Sequence, residues 1–104
     1  MPAAKLSSGL YLGIIGNISG YEETIIKLCS RFRGITLICV SENKGAEKLA
    51  YKQDWGIARI SQESILDMLS NMPNRALVMV ENDINITSKC SELNIPYRIL
   101  KKRG

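Results

Sequence analysis

The stretch that most constrains the fold is Leu10–Gly20, which reads as a short buried strand followed by a glycine-rich turn. Its first part, Leu10–Ile15, is apolar apart from one glycine, and the run is too short for a helix. A strand that is apolar on both faces indicates a parallel sheet covered by helices on both sides. Ser19 and Glu22 have the Ser-x-x-Glu spacing of a capping box, which predicts a helix directly after the turn.

The same succession of apolar run, polar loop and amphipathic segment repeats along the chain and predicts the order βαβαβαβαβ. The predicted helices are Gly20–Arg33, a second helix that ends near Asp54, Gln62–Asn71 and Asn85–Leu93. The predicted strands after the first are Ile35–Val40, Ile57–Ile60, Ala76–Val80 and Ile95–Leu100. A proline within the last strand favours an edge position for it. Short connections in this order predict a three-layer α/β sandwich, Rossmann-like in class, with a mostly parallel sheet of four or five strands.

Length and composition predict one domain over residues 1–104, with flexible ends at 1–8 and 101–104. No apolar run approaches the roughly 18 residues of a membrane span, and we see no secretory signal, so we expect a cytoplasmic protein that does not contact membrane. The three cysteines lie apart in apolar segments, which predicts buried free thiols. The chain has no histidine, which removes Ser-His and Cys-His nucleophile pairs and histidine metal sites. We therefore expect no catalytic residue, no metal and no cofactor.

The loops that follow the predicted strands hold the candidate ligand-binding residues, because ligands of parallel sheets bind outside the carboxyl ends of the strands. The candidate phosphate-binding residues in these loops are Gly16, Asn17, Ser19, Gly20 and Lys44. Backbone N–H groups at the start of the next helix are suited to a phosphate. The glycine spacing in the first loop matches neither the dinucleotide fingerprint nor a Walker loop. A tight turn that needs glycine and a helix cap therefore remains an open alternative.

Acidic residues in two other loops have alternative interpretations. Glu42 follows the second predicted strand, where dinucleotide-binding folds place the acid that binds ribose, but a solvated loop is the alternative. Glu81 and Asp83 follow the fourth predicted strand, where carboxylates can bind Mg²⁺. A capping role for Asp83 at the fourth helix is the interpretation we favour. The one tryptophan, Trp55, is predicted to pack in or beside the core.

The charge of the chain allows an acidic partner. The formal net charge is +4 and the isoelectric point is about 9.1, which is mildly basic. Basic residues gather near the end of the chain and are the candidate nucleic-acid contacts: Arg98, Lys101, Lys102 and Arg103.

Several pieces of the first part of the chain match one known module. They are Leu10–Gly16, Asn43–Ala50, Trp55–Ile57 and Ile60–Leu66. Through them the span Leu6–Leu69 resembles a BRCT domain, the small phosphate- and protein-binding module of DNA-repair proteins. The resemblance implies a small BRCT-like α/β fold, and a phosphate pocket carried over onto Gly16 and Lys48.

Two pieces of the second part, Ala76–Asp83 and Glu92–Tyr97, match a different family. Through them the span Gln62–Leu100 is similar to the second half of the kink-turn RNA-binding family of ribosomal proteins. Both resemblances imply a binding module associated with nucleic acid.

Three functions are compatible with the sequence. The leading hypothesis is a small non-catalytic adaptor that binds nucleic acid or a phosphorylated partner through the candidate residues above. The alternative is a Rossmann-like domain that binds a nucleotide or another small ligand. A third interpretation is a protein-interaction subunit without a phosphate site. The sequence leaves homo-oligomerisation open.

Overall fold

The computed structural model describes residues 9–100, in which five strands and four helices alternate. The strands are β1 (Gly9–Ile15), β2 (Gly34–Cys39), β3 (Gly56–Arg59), β4 (Arg75–Met79) and β5 (Tyr97–Ile99). The helices are α1 (Glu22–Leu28), α2 (Lys44–Gln53), α3 (Gln62–Ser70) and α4 (Ile84–Leu93). The predicted order βαβαβαβαβ is confirmed. The predicted flexible ends, 1–8 and 101–104, lie outside the described residues.

The strands form one parallel sheet in the order β3-β2-β1-β4-β5. β1 is the central strand, with Leu12 in register with Leu37 of β2 and Ala76 of β4. The chain moves outward from β1 through β2 to β3, and α3 then leads it back across the sheet to β4. Among the strands of residues 9–100, β5 pairs only with β4, so the edge position predicted from Pro96 is confirmed.

Two hydrophobic cores cover the two faces of the sheet. The α1/α2 core contains the buried residues Leu10, Leu12, Ile14, Ile18, Ile25, Cys29, Ile35, Leu37, Cys39, Ala46, Leu49, Ala50, Val78 and Leu100. The α3/α4 core contains Ile38, Ile65, Leu66, Leu69, Leu77, Met79, Cys90 and Ile95. Because side chains alternate along a strand, β1 contributes to both cores. The predicted three-layer α/β sandwich is confirmed.

One glycine of β1 sets how closely α3 approaches the sheet. Gly13 faces the α3/α4 core, and a Cβ placed on it would lie 2.7 Å from Leu77 Cδ1 and 2.8 Å from Leu69 Cδ1. Real Cβ atoms do not make contacts this short, so a side chain at this position would displace α3 or the leucines. Gly13 is therefore a packing residue.

Helix α1 is shorter than the predicted Gly20–Arg33, because it ends at Leu28. The chain beyond it forms tighter turns: Ser30 N–H donates to Lys27 O at 3.2 Å and Phe32 N–H to Cys29 O at 3.0 Å. These bonds span three residues instead of four, which turns the chain toward β2.

The predicted capping box at Ser19 is wrong. The residue at the N-cap of α1 is Tyr21, whose side chain forms no capping hydrogen bond. The Glu22 carboxylate accepts a hydrogen bond from Gly20 N–H at 2.9 Å instead. Gly20 has a φ of +90°, so the chain changes direction between Ser19 and the helix. The predicted cap of α4 is confirmed, because the Asp83 carboxylate accepts from Asn85 N–H at 3.0 Å.

A candidate phosphate-binding groove at the carboxyl edge of the sheet

The loop between β1 and α1 is fixed by a buried side chain at its centre. Ile18 is fully buried in the α1/α2 core, and its carbonyl accepts from Tyr21 N–H at 2.8 Å, which closes a turn. Gly16 has a φ of +102°, and a Cβ placed on it would lie 3.0 Å from Val80 Cγ2. Only glycine fits this backbone conformation and this close approach without strain. The loop therefore has one defined shape.

The loop after β2 is joined to this first loop through Asn43. Its Nδ2 donates to Gly16 O at 3.0 Å, and its Oδ1 accepts from Ala46 N–H at 3.2 Å. The second bond caps α2, so one side chain both starts the helix and holds the neighbouring loop. Gly45 lies beside the first loop, since a Cβ placed on it would be in ordinary contact with Ile18 Cγ1 at 3.4 Å.

A groove of about 1400 Å³ runs along α1, α2 and β3 from these joined loops. Four of the six predicted phosphate-binding residues line it: Asn17, Ser19, Lys44 and Lys48. Gly16 and Gly20 belong to the same loop but not to the lining of the groove, and their positive φ angles account for them as turn residues. The structure therefore places these four side chains along one groove.

The groove contains charges of both signs. Its basic lining residues are Lys44, Lys48, Lys52 and Arg59, and its acidic lining residues are Glu22, Glu23 and Glu47. Glu47 lies between two of the cations: Lys44 Nζ is 3.6 Å from its Oε1, and Arg59 Nη2 donates directly to its Oε2. The hydrogen bond from Arg59, and then the charge of Lys44, hold the pKa of the Glu47 carboxyl below its usual value.

The backbone N–H groups of Ser19 and Gly20 in the first loop are already hydrogen-bonded within the chain. Asn17 Oδ1 accepts from Ser19 N–H at 3.0 Å, and Glu22 binds Gly20 N–H as described above. An anionic ligand would therefore contact this edge mainly through side chains rather than through the amide cradle that the sequence suggested.

The candidate nucleic-acid contacts do not join the groove within the described residues. Arg98 is exposed on β5, at the edge of the sheet beyond β4, whereas α2 follows β2 on the other side of β1. The other three candidates, Lys101, Lys102 and Arg103, lie outside the described residues. The described basic residues thus form no single stripe that would join Arg98 to Lys44 and Lys48.

The acidic loop residues show other roles. Glu42 is exposed and its carbonyl accepts from Lys44 N–H at 2.9 Å, but it does not line the groove. Asp83 caps α4. Within residues 9–100, no three His, Cys, Asp or Glu side chains are grouped as they would be around a metal ion. Between Gly9 and Leu100 there is also no helix with the length and apolar character needed to cross a bilayer.

The three cysteines are buried free thiols, as predicted: Cys29, Cys39 and Cys90. Burial raises the pKa of Cys29 to about 11 and raises the pKa of Cys90. Burial also raises the pKa of Cys39, and the nearby charge of Arg59 opposes that shift. Thiols in such surroundings are poor nucleophiles.

Trp55 packs against the α1/α2 core, so its predicted packing role is confirmed. It lines the far end of the groove and also a second cavity of about 470 Å³ at the amino edge of the sheet. That cavity lies at the starts of β1, β2 and β3, away from the loops where parallel sheets bind ligands.

Sequence reasoning missed Arg59 as a site residue. It is the last residue of β3, in register with Cys39 at the end of β2, and it faces the groove. The sequence did contain a signal for it, because Arg59 is a charged residue near the carboxyl end of a predicted strand. The rule that selected the loops, that ligands bind at the carboxyl ends of parallel strands, applies to this position as well.

Comparisons with family models, curated proteins and solved structures found no match to this chain. The resemblances to BRCT domains and to kink-turn RNA-binding proteins therefore stay predictions.

Proposed function

We propose that this protein is a Rossmann-like binding domain that takes a phosphate-bearing ligand of nucleotide size in the groove beside α2. Lys44 and Lys48 would bind the phosphate by charge, and Asn17 and Ser19 would position it by hydrogen bonds. The observation that carries the proposal is that these four side chains, two from the loop after β1 and two from the first half of α2, line one groove.

The topology of the sheet supports the proposal. The order β3-β2-β1-β4-β5 is that of the first five strands of dinucleotide-binding domains, whose ligands lie across the carboxyl edge beside β1. The groove begins at that edge, where the loops after β1 and β2 meet. Sheet order alone gives no function, so the proposal depends on the side chains in the groove.

A compact ligand fits the arrangement of charge better than an extended nucleic acid does. The groove cations come from α2 and from the end of β3, while Arg98 lies at the opposite edge of the sheet. A duplex binder typically presents a continuous basic surface that neutralises several phosphates at once. The nucleic-acid adaptor is therefore the competing outcome of the test below.

The experiment is a fluorescence titration of the intact chain with a labelled nucleoside diphosphate and, separately, with a labelled DNA duplex. Each titration is run at roughly 50 and 200 mM salt, because a ligand bound through many phosphates loses much more affinity over this range than a compact ligand does. The variants are Lys44→Ala and Lys48→Ala. The matched control is Lys89→Ala, an exposed lysine on α4, which covers the other face of the sheet.

If the proposal is right, each groove variant weakens nucleotide binding about fivefold, because an exposed charge contact contributes about 1 kcal/mol. Lys89→Ala should leave the affinity unchanged. Duplex binding that falls steeply with salt and responds to Arg98→Ala would favour the adaptor instead. If the intact chain binds neither probe at either salt concentration, both hypotheses fail and the protein-interaction interpretation remains.

A further inference from the structure

The most unusual feature of the groove is a carboxylate held between two cations. Each oxygen of Glu47 faces a different positive group, Lys44 on its own helix and Arg59 on β3. All three side chains line the groove. Glu47 also lies in the first turn of α2, where the helix dipole favours a negative charge. An anion is thus already bound at this point, and it belongs to the chain itself.

The two cations remain accessible while they hold Glu47. The side chain of Lys44 is 77% exposed, that of Arg59 is 45% exposed and that of Glu47 is 36% exposed. An ion pair this exposed is weak, so an incoming anion displaces it at little cost. A phosphate monoester carries a charge of about −2 near neutral pH against −1 for a carboxylate, and it offers more acceptor oxygens. Phosphate would therefore compete with Glu47 for both cations.

We infer that Glu47 is an internal competitor for the ligand and that Arg59 is a ligand-binding residue of the same groove. In the free protein, Glu47 forms ion pairs with both Lys44 and Arg59 and offsets part of their positive charge. In the complex, the phosphate takes over these two cations and the carboxylate turns away from them. This inference rests on the proposed function, and it adds a residue that sets how tightly the groove binds anions.

The central variant is Glu47→Gln, which removes the charge and keeps the size of the side chain. The matched control is Glu23→Gln, which makes the same change of charge on α1, the other wall of the groove. The probes are the labelled nucleoside diphosphate and inorganic pyrophosphate, which competes with it. Far-ultraviolet circular dichroism checks that each variant is folded.

We expect Glu47→Gln to tighten probe binding about threefold to tenfold, and Glu23→Gln to change it less than about twofold. Arg59→Gln should weaken binding about fivefold. If the gain from Glu47→Gln comes from releasing Arg59, then the gain shrinks in the double variant that also carries Arg59→Gln. Equal gains from Glu47→Gln and Glu23→Gln would show a general charge effect and overturn the inference.

A second measurement uses the unmodified protein. The pKa of the Glu47 carboxyl, followed by nuclear magnetic resonance, should rise toward its ordinary value when saturating pyrophosphate is added, because the cations that lower it are taken over by the ligand. The side chain of Glu63, at the start of α3 and outside the groove, serves as the reference whose resonances the added pyrophosphate should not shift.

The outcomes separate the two proposals. If the intact chain binds the probe and Lys44→Ala weakens it, while Glu47→Gln leaves the affinity unchanged or lowers it, the groove binds phosphate and the competitor inference is wrong. If no variant binds either probe, the proposed function fails and the inference fails with it. Binding that appears only in Glu47→Gln and is lost on adding Lys44→Ala would support both.

Discussion

Replacing Gly13 by alanine tests the packing of the sheet against α3. The added Cβ would lie 2.7 Å from Leu77 Cδ1 and 2.8 Å from Leu69 Cδ1, and both leucines are fully buried. The leucine methyl groups must shift to admit the Cβ, and because both side chains are buried, overpacking of this kind costs about 1–3 kcal/mol. Alanine regains about 0.5–1 kcal/mol over glycine in a strand. We therefore expect a net loss of about 1–2 kcal/mol, or roughly 10 °C in Tm for a chain of this size.

The assay is urea unfolding followed by the fluorescence of the one tryptophan, Trp55. The control is Gly9→Ala in the same strand, whose Cβ would lie 3.4 Å from Gly34 O, an ordinary contact. Its unfolding free energy should rise by about 0.5–1 kcal/mol, because alanine gains over glycine in a strand and the added Cβ meets no close contact. Leu69→Val removes one of the two close methyl groups, so the cost of Gly13→Ala should be smaller in that background. A Gly13→Ala variant as stable as the wild type would refute the packing of α3 described above.

Four further predictions concern the loops, the ion pair and the thiols. Gly16→Ala should lower the free energy of unfolding by about 3 kcal/mol, and Gly20→Ala should lower it by about 1 kcal/mol. Both glycines have a positive φ, but only a Cβ on Gly16 would meet a side chain. Equal losses in urea unfolding would contradict this. Asn43→Ser keeps a capping oxygen but cannot reach Gly16 O, so it should weaken nucleotide binding several-fold. Its loss of stability should be smaller than the roughly 1 kcal/mol expected for Asn43→Ala. Wild-type affinity in Asn43→Ser would refute the role of the bond to Gly16 O. The pKa of the Glu47 carboxyl is lower in the folded state than its ordinary 4.5, so the charged side chain stabilises the fold above that pH. This contribution is lost as the pH falls through the folded pKa. The free energy of unfolding of Glu47→Gln should therefore depend less on pH in that acid range. A thiol reagent should label the native protein slowly, since burial raises the pKa of Cys29 to about 11 and shields all three thiols, and rapid native labelling would contradict the burial.

The order of elements followed from local patterns in the sequence. A run such as Leu10–Ile15 is too short and too uniformly apolar for anything but a buried strand, and β1 occupies the centre of the sheet. The sequence did not predict the order of the strands, because that order depends on which side of β1 each crossover takes. The end of α1 was also missed, since the apolar spacing continues to Phe32 although the backbone turns after Leu28.

The candidate site was only partly predictable. Loops that follow parallel strands can be located from the sequence, and this rule selected Asn17, Ser19 and Lys44, while Lys48 came from the resemblance to BRCT domains. All four side chains line the groove. The contact between Glu47 and Arg59 joins a helix to a strand that follows it, and no local spacing encodes such a pair. The same limit applies to Asn43, whose bond to Gly16 O spans two loops.

The spacing of the three glycines in the first strand and loop does not by itself indicate a ligand site. Gly13 is required by the leucines of the α3/α4 core, Gly16 by its positive φ and by its contact with Val80, and Gly20 by its positive φ alone. None of them needs a ligand to explain it. A phosphate site therefore depends on the side chains that line the groove, and Lys44 and Lys48 are the ones that the sequence already suggested. A glycine variant with weaker binding would report a damaged fold, whereas an exposed charge such as Lys48 can be removed without changing the core. For this reason only the charge variants can decide whether the groove binds phosphate.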